Sequence, residues 1–514
     1  MCAKKTVYFV SILTLIIMNV GCRATKEDLS FKNPVVLADV PDVDVIRVDD
    51  DYFMISTTMH MMPGAPIMHS KDLVNWEIIS YLYDSINERP QNNLEDGAIY
   101  GLGQWASSLR YHNGTYYAFF GTNYKSYLYT TTDPFKGWTL KTAFDKYYHD
   151  PSILFDDNGK IYLAYGAGHV RIVEFLPDMS GINPDGLNVE VVHGEPKGLL
   201  EGVHFYKFNG TYYMTFIWWP AGGIRTQLCF RSNKVEGPYE MKQILSDDMD
   251  FPNHGVAQGC FIDTKKGEWY AMLFQDHEAV GRTPVLVPLT WQDGWPILGD
   301  ANGKVPVEME VPVKGVKPKG NLVVSDEFDS KRLGLTWQWN HNPDNSLWSL
   351  TERHGYMRLK TGKIVNNIFE ARNSLTQRTE GVKCSGAIKI DVSNMKSGDC
   401  AGLAAFCSQE GQLSIRCNDN GKTLCMIDRG NIIEQCTLNS EELYLRINFD
   451  FTIDNAYFFY SYNGKDWTKI GAPLKMIYNL VHFMGYRFAI FNYATKQSGG
   501  YIDVDNFIYS REKK

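Results

Sequence analysis

The 514 residues carry a formal net charge of −8 at pH 7, and 44% of them are hydrophobic, 21% charged and 13% aromatic. This composition excludes a disordered, collagen-like or coiled-coil chain. The acidic balance, without a strong basic run, argues against nucleic acid or an anionic membrane surface as a partner. The length allows two or three domains, each with its own core.

The N-terminus has the features of an export signal. Basic residues precede an apolar run at 7–20, which ends in Gly21 and Cys22. A basic start, a short apolar core and a small residue before the cut predict a signal peptide over residues 1–21. Cysteine at the cut resembles a bacterial lipoprotein signal, although Asn19 departs from the usual leucine. We expect a periplasmic protein, with a lipid anchor on Cys22 and an ordinary signal as the two alternatives.

Eight cysteines remain after the one at the predicted cut, and six of them lie between Cys384 and Cys436. Their spacing is not typical of a zinc site. It also assigns no disulfide pairing, so that buried free thiols in strands are the favoured interpretation.

A polar turn followed by an aromatic strand recurs five times in the first 310 residues. Such turns, most of which contain glycine, predict β-hairpins when they lead into strands rich in Tyr, Phe and β-branched residues. Spacings of 45 to 64 residues suit four-stranded blades with variable loops. The repeats therefore predict a five-bladed β-propeller. One aromatic column runs through them: Phe53, Tyr117, Tyr162, Tyr213 and Tyr270.

A second set of equivalent positions lies twelve residues before the aromatic column. In the first repeat the distance is eleven residues. Equivalent residues of successive blades surround the propeller axis, so their side chains should converge on one opening. A single acid before a strand is most simply a turn cap, but three acids at one phase favour a site. The members of this column are Asp42, Trp105, Asp150, Glu201 and Gln258.

Two carboxyl groups that face one cleft meet the needs of acetal hydrolysis. One of them, kept protonated, donates to the leaving oxygen, and the other, ionised, activates a water molecule on the opposite face. A third acid can keep the pKa of the proton donor high and fix its orientation.

These motifs resemble glycoside hydrolase family 43. The resemblance is carried by PDVDVIRVDDDYFMIST, YHDPSILFDDNGKIYLAYG, LLEGVHFYKFNGTYYMTF and FQDHEAVGRTPVLVPLTWQDGWP, and it covers about residues 31–310. It implies an inverting hydrolase that acts on terminal arabinofuranose or xylose. By the same resemblance Asp42 matches the general base, Glu201 the general acid and Asp150 the acid that tunes Glu201.

The sequence departs from the family pattern at two places. The first motif has Val43 and Asp44 where the family has Pro and Ser, so Asp44 is the alternative base; alternation places it on the same face as Asp42, farther along the strand. Gln258 stands where many relatives carry a histidine near an axial calcium ion. We expect Gln258 to bind substrate and no cofactor to be required, with a structural calcium ion as an open alternative.

Four further residues are candidates for substrate binding. Arg282 matches an arginine that the family directs at the substrate, and it could instead form an ion pair between blades. Trp105 is expected to stack on the sugar rather than only pack in the core. Trp218 could line the leaving-group side or fill a loop. His277 could form a wall of the site or be an ordinary loop histidine.

The C-terminal third predicts a second domain. After a Pro/Gly/Lys-rich segment, strands alternate without helical periodicity, which predicts an antiparallel β-sandwich that resembles a concanavalin-like domain. The whole chain is thus predicted to be all-β, with a propeller at 28–312, a linker at 313–320 and a sandwich at 321–514. We expect the sandwich to pack on the propeller and lend it a loop, rather than act as a separate carbohydrate-binding module.

The resulting hypothesis is a non-reducing-end α-L-arabinofuranosidase that trims plant polysaccharide side chains, with xyloglucan as the favoured polymer. A β-D-xylosidase is the close alternative, because the two terminal sugars present similar hydroxyl patterns. A retaining fructosidase would share the propeller, but the WMNDPNG type of opening is missing. A glycan-binding lipoprotein without activity would not need three acids in phase.

Overall fold

The computed structural model describes residues 30–315 and 320–512. The predicted signal peptide and lipidation site lie outside the described residues, as does part of the predicted linker. Across the described ranges no helix is long and apolar enough to span a membrane. The helical segments described are three short 3₁₀ turns at Pro90–Asn93, Glu278–Val280 and Ile368–Glu370.

Five four-stranded antiparallel sheets form the N-terminal domain, and in each sheet the strands follow chain order. We call these sheets blades 1 to 5. The predicted aromatic column lies on the second strand of every blade, so the predicted five-bladed propeller is confirmed. The strands are Asp44–Val48, Asp51–Ile55, Gly64–Ser70 and Glu77–Tyr83 in blade 1; Ser107–His112, Thr115–Gly121, Ser126–Thr131 and Thr139–Phe144 in blade 2; Ser152–Phe155, Ile161–Tyr165, His169–Glu174 and Asn188–His193 in blade 3; Leu199–Phe208, Thr211–Trp219, Thr226–Ser232 and Glu240–Leu245 in blade 4; and Ala257–Asp263, Trp269–Asp276, Arg282–Gln292 and Trp295–Leu298 in blade 5.

The turns between first and second strands explain how the repeats fold. In blade 2, Asn113 and Gly114 have φ values of 48° and 79°, and His112 pairs with Thr115 across them. A two-residue turn with both residues at positive φ matches the right-handed twist of a hairpin, and Asn-Gly adopts it readily. The Asn209-Gly210 turn of blade 4 repeats this geometry.

The segment before blade 1 closes the ring of blades. The side chain of Asn33 donates to the carbonyl of Leu286 at 2.9 Å and accepts from its amide at 3.0 Å. Farther along, the amide of Val40 donates to the carbonyl of Arg282 at 2.9 Å. This segment therefore runs beside the third strand of blade 5 and brings Asp42 next to Arg282.

The C-terminal domain is a sandwich of two antiparallel sheets, as predicted. Lys383–Asp391 shows why, since its residues are buried at every second position, as expected of a strand with one face in a core. In sheet order the first sheet contains Asn431–Thr437, Gly421–Asp428, Gly411–Asn418, Asp399–Phe406, Arg487–Ala494, Leu375–Arg378, Gln338–Asn340 and Met61–Met62, and the second contains Trp348–Ser349, Met357–Lys360, Tyr501–Arg511, Lys383–Asp391, Glu442–Asp450, Asn455–Ser461 and Thr468–Lys469, with Leu474–Lys475 also paired to Asn455–Ser461.

The two domains share structure. Met61–Met62 comes from the loop after the second strand of blade 1, yet it pairs with Gln338–Asn340 at the edge of a sandwich sheet. A short pair of strands, Ser30–Lys32 and Glu308–Glu310, joins the two ends of the propeller chain. All eight cysteines of the described part of the chain are free and six are buried, which agrees with the favoured interpretation.

Candidate functional site

The column that contains the three acids lies at one end of the innermost strands. Asp42 and Asp150 each stand two residues before the first strand of their blades, whereas Glu201 and Gln258 lie within the first strands of blades 4 and 5. Asp42, Asp150 and Gln258 have φ values of 52°, 43° and 60°. Residues other than glycine seldom adopt this left-handed conformation, and it recurs at functional sites.

Asp42 forms an ion pair with Arg282. One guanidinium nitrogen, Nη1, donates to both carboxylate oxygens, at 2.7 and 2.9 Å. Both side chains are almost fully buried. Burial alone would lower the pKa of Arg282, but the neighbouring charge of Asp42 raises it above its ordinary value. The pair thus places a buried carboxylate, with its charge balanced, at the entry of blade 1.

Asp150 and Glu201 form a separate acidic group with His149. Nε2 of His149 lies 3.1 Å from Oε2 of Glu201 and 3.4 Å from Oδ2 of Asp150. Asp150 also accepts the amide of Gly202 at 2.8 Å. Burial, together with the charges of Glu201 and Asp42, raises the pKa of Asp150 to about 6 against the opposing effect of His149. All three acids are therefore close enough to influence one another.

His149 is a site residue that sequence analysis missed. Burial lowers its pKa, but the charges of Asp150, Glu201 and Asp42 together raise it to about 9. Its other ring nitrogen, Nδ1, lies 2.9 Å from the hydroxyl of Tyr147. The signal in the sequence was the position of the histidine, directly before Asp150 in the turn that enters blade 3.

Asp44, the alternative base, lies below the site and is already bonded. It accepts the amide of Leu109 at 2.8 Å and Nη1 of Arg110 at 2.6 Å. Arg110 also donates to the carbonyl of Ile153 and the hydroxyl of Ser152, both at 2.8 Å. Asp44 and Arg110 thus tie blades 1, 2 and 3 together at the axis, which favours a structural role for Asp44.

A calcium ion does not fit the compact acidic group. Within residues 30–315 and 320–512, His149, Asp150 and Glu201 are the one set of acidic, histidine or cysteine side chains whose donor atoms lie close enough for an ion, all within 4.8 Å. One nitrogen and two carboxylates fall short of the six to eight oxygen ligands that calcium takes. A structural calcium ion elsewhere stays a prediction.

A loop of the sandwich reaches the column of the acids. The centre of the Phe483 ring lies 5.4 Å from that of the Trp105 ring. The guanidinium carbon of Arg282 lies 4.5 Å from the centre of the Phe483 ring. Asp39 fastens this loop, because its carboxylate accepts the amides of Arg282 at 2.9 Å and Gly485 at 3.1 Å. Phe483 could not be assigned from the sequence, since the contact joins residues of different domains.

The two tryptophans after the second strand of blade 4 have different surroundings. The indole nitrogen of Trp218 donates to the carbonyl of Lys197 at 3.0 Å, and its ring packs on the core of blades 3 and 4. Trp219 is 42% exposed. The guanidinium of Arg225 stacks on its ring at 4.8 Å and forms an ion pair with Asp276. Trp219 is therefore the better placed of the two to meet a ligand.

Two predicted residues lie at the edges of this arrangement. His277 stacks on Phe251 with the ring planes 3° apart, its Nε2 lies 2.8 Å from Oε1 of Gln275, and it lines a cavity of about 750 Å³ between the two domains. Gln258 is held by its backbone amide, which donates to the side-chain oxygen of Gln227 at 2.7 Å. Its side chain lies beside Gly202, the residue after Glu201. A Cβ atom on Gly202 would lie 2.7 Å from the side chain of Gln258.

Comparisons with known proteins agree with this architecture. The family described as "Glycosyl hydrolases family 43" matches residues 31–296, and the "Beta xylosidase C-terminal Concanavalin A-like domain" matches residues 325–510. A protein of Formosa agariphila named "Beta-xylosidase" is 30% identical over 95% of this chain and 92% of its own length. A "Non-reducing end alpha-L-arabinofuranosidase BoGH43B" of Bacteroides ovatus is 30% identical over 77% of this chain and 78% of its own length.

Among solved structures, a "Bifunctional GH43-CE" of Bacteroides eggerthii is 44% identical, with a TM-score of 0.89 over 95% of this chain. The chain spans 64% of the length of that protein. Most of the similar curated proteins carry β-xylosidase names.

Proposed function

Because the chain belongs to glycosyl hydrolase family 43, we propose that it is an inverting exo-glycosidase that removes terminal non-reducing α-L-arabinofuranosyl residues from plant polysaccharide side chains. One observation carries the mechanism. The acids form two groups. The carboxylate of Asp42 is bonded to Arg282, whereas Asp150 and Glu201 lie together, and the pKa of Asp150 is raised to about 6. This division is what an acid and a base in one cleft require.

In the proposed reaction, Glu201 protonates the glycosidic oxygen while Asp42 removes a proton from the attacking water. Water attacks the anomeric carbon as the bond to the leaving group breaks, so the anomeric configuration inverts. The two carboxyl groups need a separation of about 6.5–9.5 Å to leave room for the water. Glu201 ends the step ionised and Asp42 protonated, and exchange with solvent resets both.

Arg282 and Asp150 support these roles from opposite sides. The Arg282 guanidinium holds Asp42 in one orientation through both carboxylate oxygens, and its free donors can bind sugar hydroxyls. Two donors of Arg282, Nε and Nη2, are buried without a protein partner. Asp150, when ionised, disfavours ionisation of Glu201, because like charges at short range repel.

Aromatic rings complete the proposed sugar pocket. Trp105 and Phe483 form one wall next to Arg282, and Gln258 lies across the site beside Gly202. A flat apolar sugar face packs well against such rings. Substrate contacts by Trp218 and His277 stay predictions, because their surroundings give neither a direct link to the acids.

A β-D-xylosidase is the second candidate, favoured by the names that most of the similar curated proteins carry. The polymer is likewise a proposal, and xyloglucan is the one we favour. Export to the periplasm and a lipid anchor on Cys22 stay predictions from the N-terminal sequence.

Hydrolysis of p-nitrophenyl α-L-arabinofuranoside and β-D-xylopyranoside tests the proposal. We expect wild type to prefer the arabinofuranoside and Asp42→Asn and Glu201→Gln to lose activity by at least about 100-fold. Asp145→Asn is the matched control, since this carboxylate is 90% exposed and outside the site. NMR of the first product should show the inverted anomer.

Preference for the xyloside would replace the arabinofuranosidase by the second candidate. Retention of configuration would exclude the mechanism. Full activity of the folded Glu201→Gln variant would remove Glu201 from the reaction, and no turnover of either glycoside or of arabinoxylan and xyloglucan oligosaccharides would favour glycan binding without catalysis.

A further inference from the structure

The mechanism above leaves one residue of the acidic group without a role. His149 lies between the two acids, with Nε2 3.1 Å from Oε2 of Glu201 and 3.4 Å from Oδ2 of Asp150. Its Nδ1 lies 2.9 Å from the Tyr147 hydroxyl. Both ring nitrogens thus have partners, and the side chain is held in one orientation by two residues of its own turn and one of blade 4.

We infer that His149 is a positioning residue for Glu201, which binds one oxygen of that carboxyl group so that the transferable proton is carried by the other. This inference rests on the proposed role of Glu201 as the general acid. A protonated carboxyl group has one O–H, and an oxygen that accepts a hydrogen bond is a poor place for it. With Oε2 bonded to His149, the proton is carried by Oε1, which is free to face the glycosidic oxygen.

The charges that face His149 support this assignment. They are Asp150, Glu201 and Asp42, and the hydroxyl of Tyr147 faces the other ring nitrogen. The carboxylates of Asp150 and Asp42 favour the imidazolium even while Glu201 carries its proton, and the imidazolium donates from both nitrogens. Burial, and then the charges of Asp150 and Glu201, raise the pKa of Tyr147 above its ordinary value. Tyr147 therefore stays a neutral hydroxyl, whose oxygen can accept from Nδ1.

His149 and Asp150 place opposite charges beside Glu201. A cation at hydrogen-bond distance favours the ionised carboxylate, whereas the negative charge of Asp150 favours the protonated form. The two neighbours of Glu201 thus act in opposite directions. Removal of the imidazolium should leave Asp150 unopposed and raise the pH at which the general acid is lost.

The test compares wild type, His149→Gln and His149→Phe. Gln keeps a hydrogen-bond donor without the charge, and Phe keeps the ring without a donor. We would measure kcat/KM against pH on two aryl glycosides of the sugar that wild type hydrolyses, one with a 2,4-dinitrophenol and one with a phenol leaving group. The first departs with little protonation and the second needs the general acid.

We expect the alkaline limb to move up by about one pH unit in both variants, because both lack the cation. We also expect His149→Phe to lose about tenfold in kcat/KM on the phenyl glycoside at its optimum, and little on the dinitrophenyl glycoside. His149→Gln should keep most of its activity on both, since its amide can still bond to Glu201.

An alkaline limb that does not move in His149→Gln would overturn the inference, and this variant suffices if the Phe variant does not fold. Equal losses of His149→Phe on both leaving groups would also overturn it, because a distorted pocket would affect both alike. Failure of the proposed function has a different signature: inactive wild type, or an active Glu201→Gln variant, whatever His149 does.

Discussion

At the scale of single residues, the role proposed for Asp150 carries a cost in stability. Its side chain is buried, and burial is the first cause that raises its pKa from 3.8 to about 6. An Asp whose pKa is raised in the folded state binds its proton more tightly there than in the unfolded state. Ionisation of Asp150 therefore destabilises the fold, and this cost develops as pH rises from about 4 to above 6.

Asp150→Asn should separate the two effects. The amide oxygen can still accept from the Gly202 amide, and the buried charge is gone. We expect the variant to be more stable than wild type at pH 8, by an amount on the order of 1–3 kcal/mol, and to show no such gain at pH 4. Thermal unfolding at the two pH values measures this, and equal stability at both would contradict the raised pKa.

The same variant should move the pH profile in the direction opposite to that expected for His149→Phe. Without the negative charge of Asp150, Glu201 ionises more easily, so the alkaline limb of kcat/KM should move to lower pH. We expect activity at the optimum to fall by about 10- to 100-fold. An alkaline limb that moves upward would show that Asp150 does not act on Glu201 through its charge.

At the scale of strands and loops, the second strand of blade 4 carries an exposed platform. Across the strand pair, Trp219 lies opposite Leu199 and Ile217 lies opposite Glu201. Trp219 is therefore two residues beyond the level of Glu201, toward the start of the first strand of blade 4. At about 3.4 Å per residue this places Trp219 roughly 7 Å beyond Glu201 along the strand. Because Glu201 is proposed to act on the oxygen between the two sugars, that distance corresponds to the leaving-group side.

Trp219→Ala should therefore weaken binding of the leaving sugar only. We expect kcat/KM to fall by about 3- to 10-fold on an oligosaccharide, as the loss of one aromatic contact suggests. Inhibition by the free monosaccharide, which fills only the pocket at the acids, should not change. Trp218→Ala is the comparison, and a larger effect there than at Trp219 would assign the platform to Trp218.

The sequence predicted those elements that local patterns determine. Hairpin turns and one aromatic position per repeat were enough to predict the blades. The equivalent positions of Asp42, Asp150 and Glu201 in their repeats were enough to predict that these acids lie near one another. The position of Phe483 beside the acids could not be predicted, because the sandwich contacts the propeller through residues far apart in the chain. The pairing of Met61–Met62 with a sandwich strand could not be predicted either, since a two-residue strand inside a loop has no periodicity to detect.

At the scale of the whole molecule, the junction of the two domains buries three histidines. His60 of the propeller lies 4.9 Å, between ring centres, from His341 of the sandwich and 5.9 Å from His482, and Tyr100 stacks on His482 at 4.1 Å. Neither ring nitrogen of His60 has a hydrogen-bond partner, and Nδ1 of His482 has none. The junction is therefore built for neutral imidazoles.

Acid should consequently weaken this junction. Burial lowers the pKa of His60 far below 6.5 and lowers those of His341 and His482 to about 3. The unfolded chain binds protons near pH 6.5 and the folded chain does not. Stability contributed by these groups is thus present above pH 6.5 and is lost as pH falls toward 3, at up to about 1.4 kcal/mol per pH unit for each histidine.

His482→Phe should reduce this pH dependence, because it removes one buried imidazole and keeps a ring to stack on Tyr100. We expect the unfolding temperature of wild type to fall between pH 7 and pH 4.5, and that of the variant to fall less. His193→Phe is the control, since this histidine side chain is 72% exposed and lies on the last strand of blade 3, not among the three histidines of the junction. If the control flattens the curve as much as His482→Phe does, the acid sensitivity does not come from the junction. If it leaves the curve unchanged, the difference in slope between wild type and His482→Phe reports the protons that the buried histidines of the junction take up on unfolding.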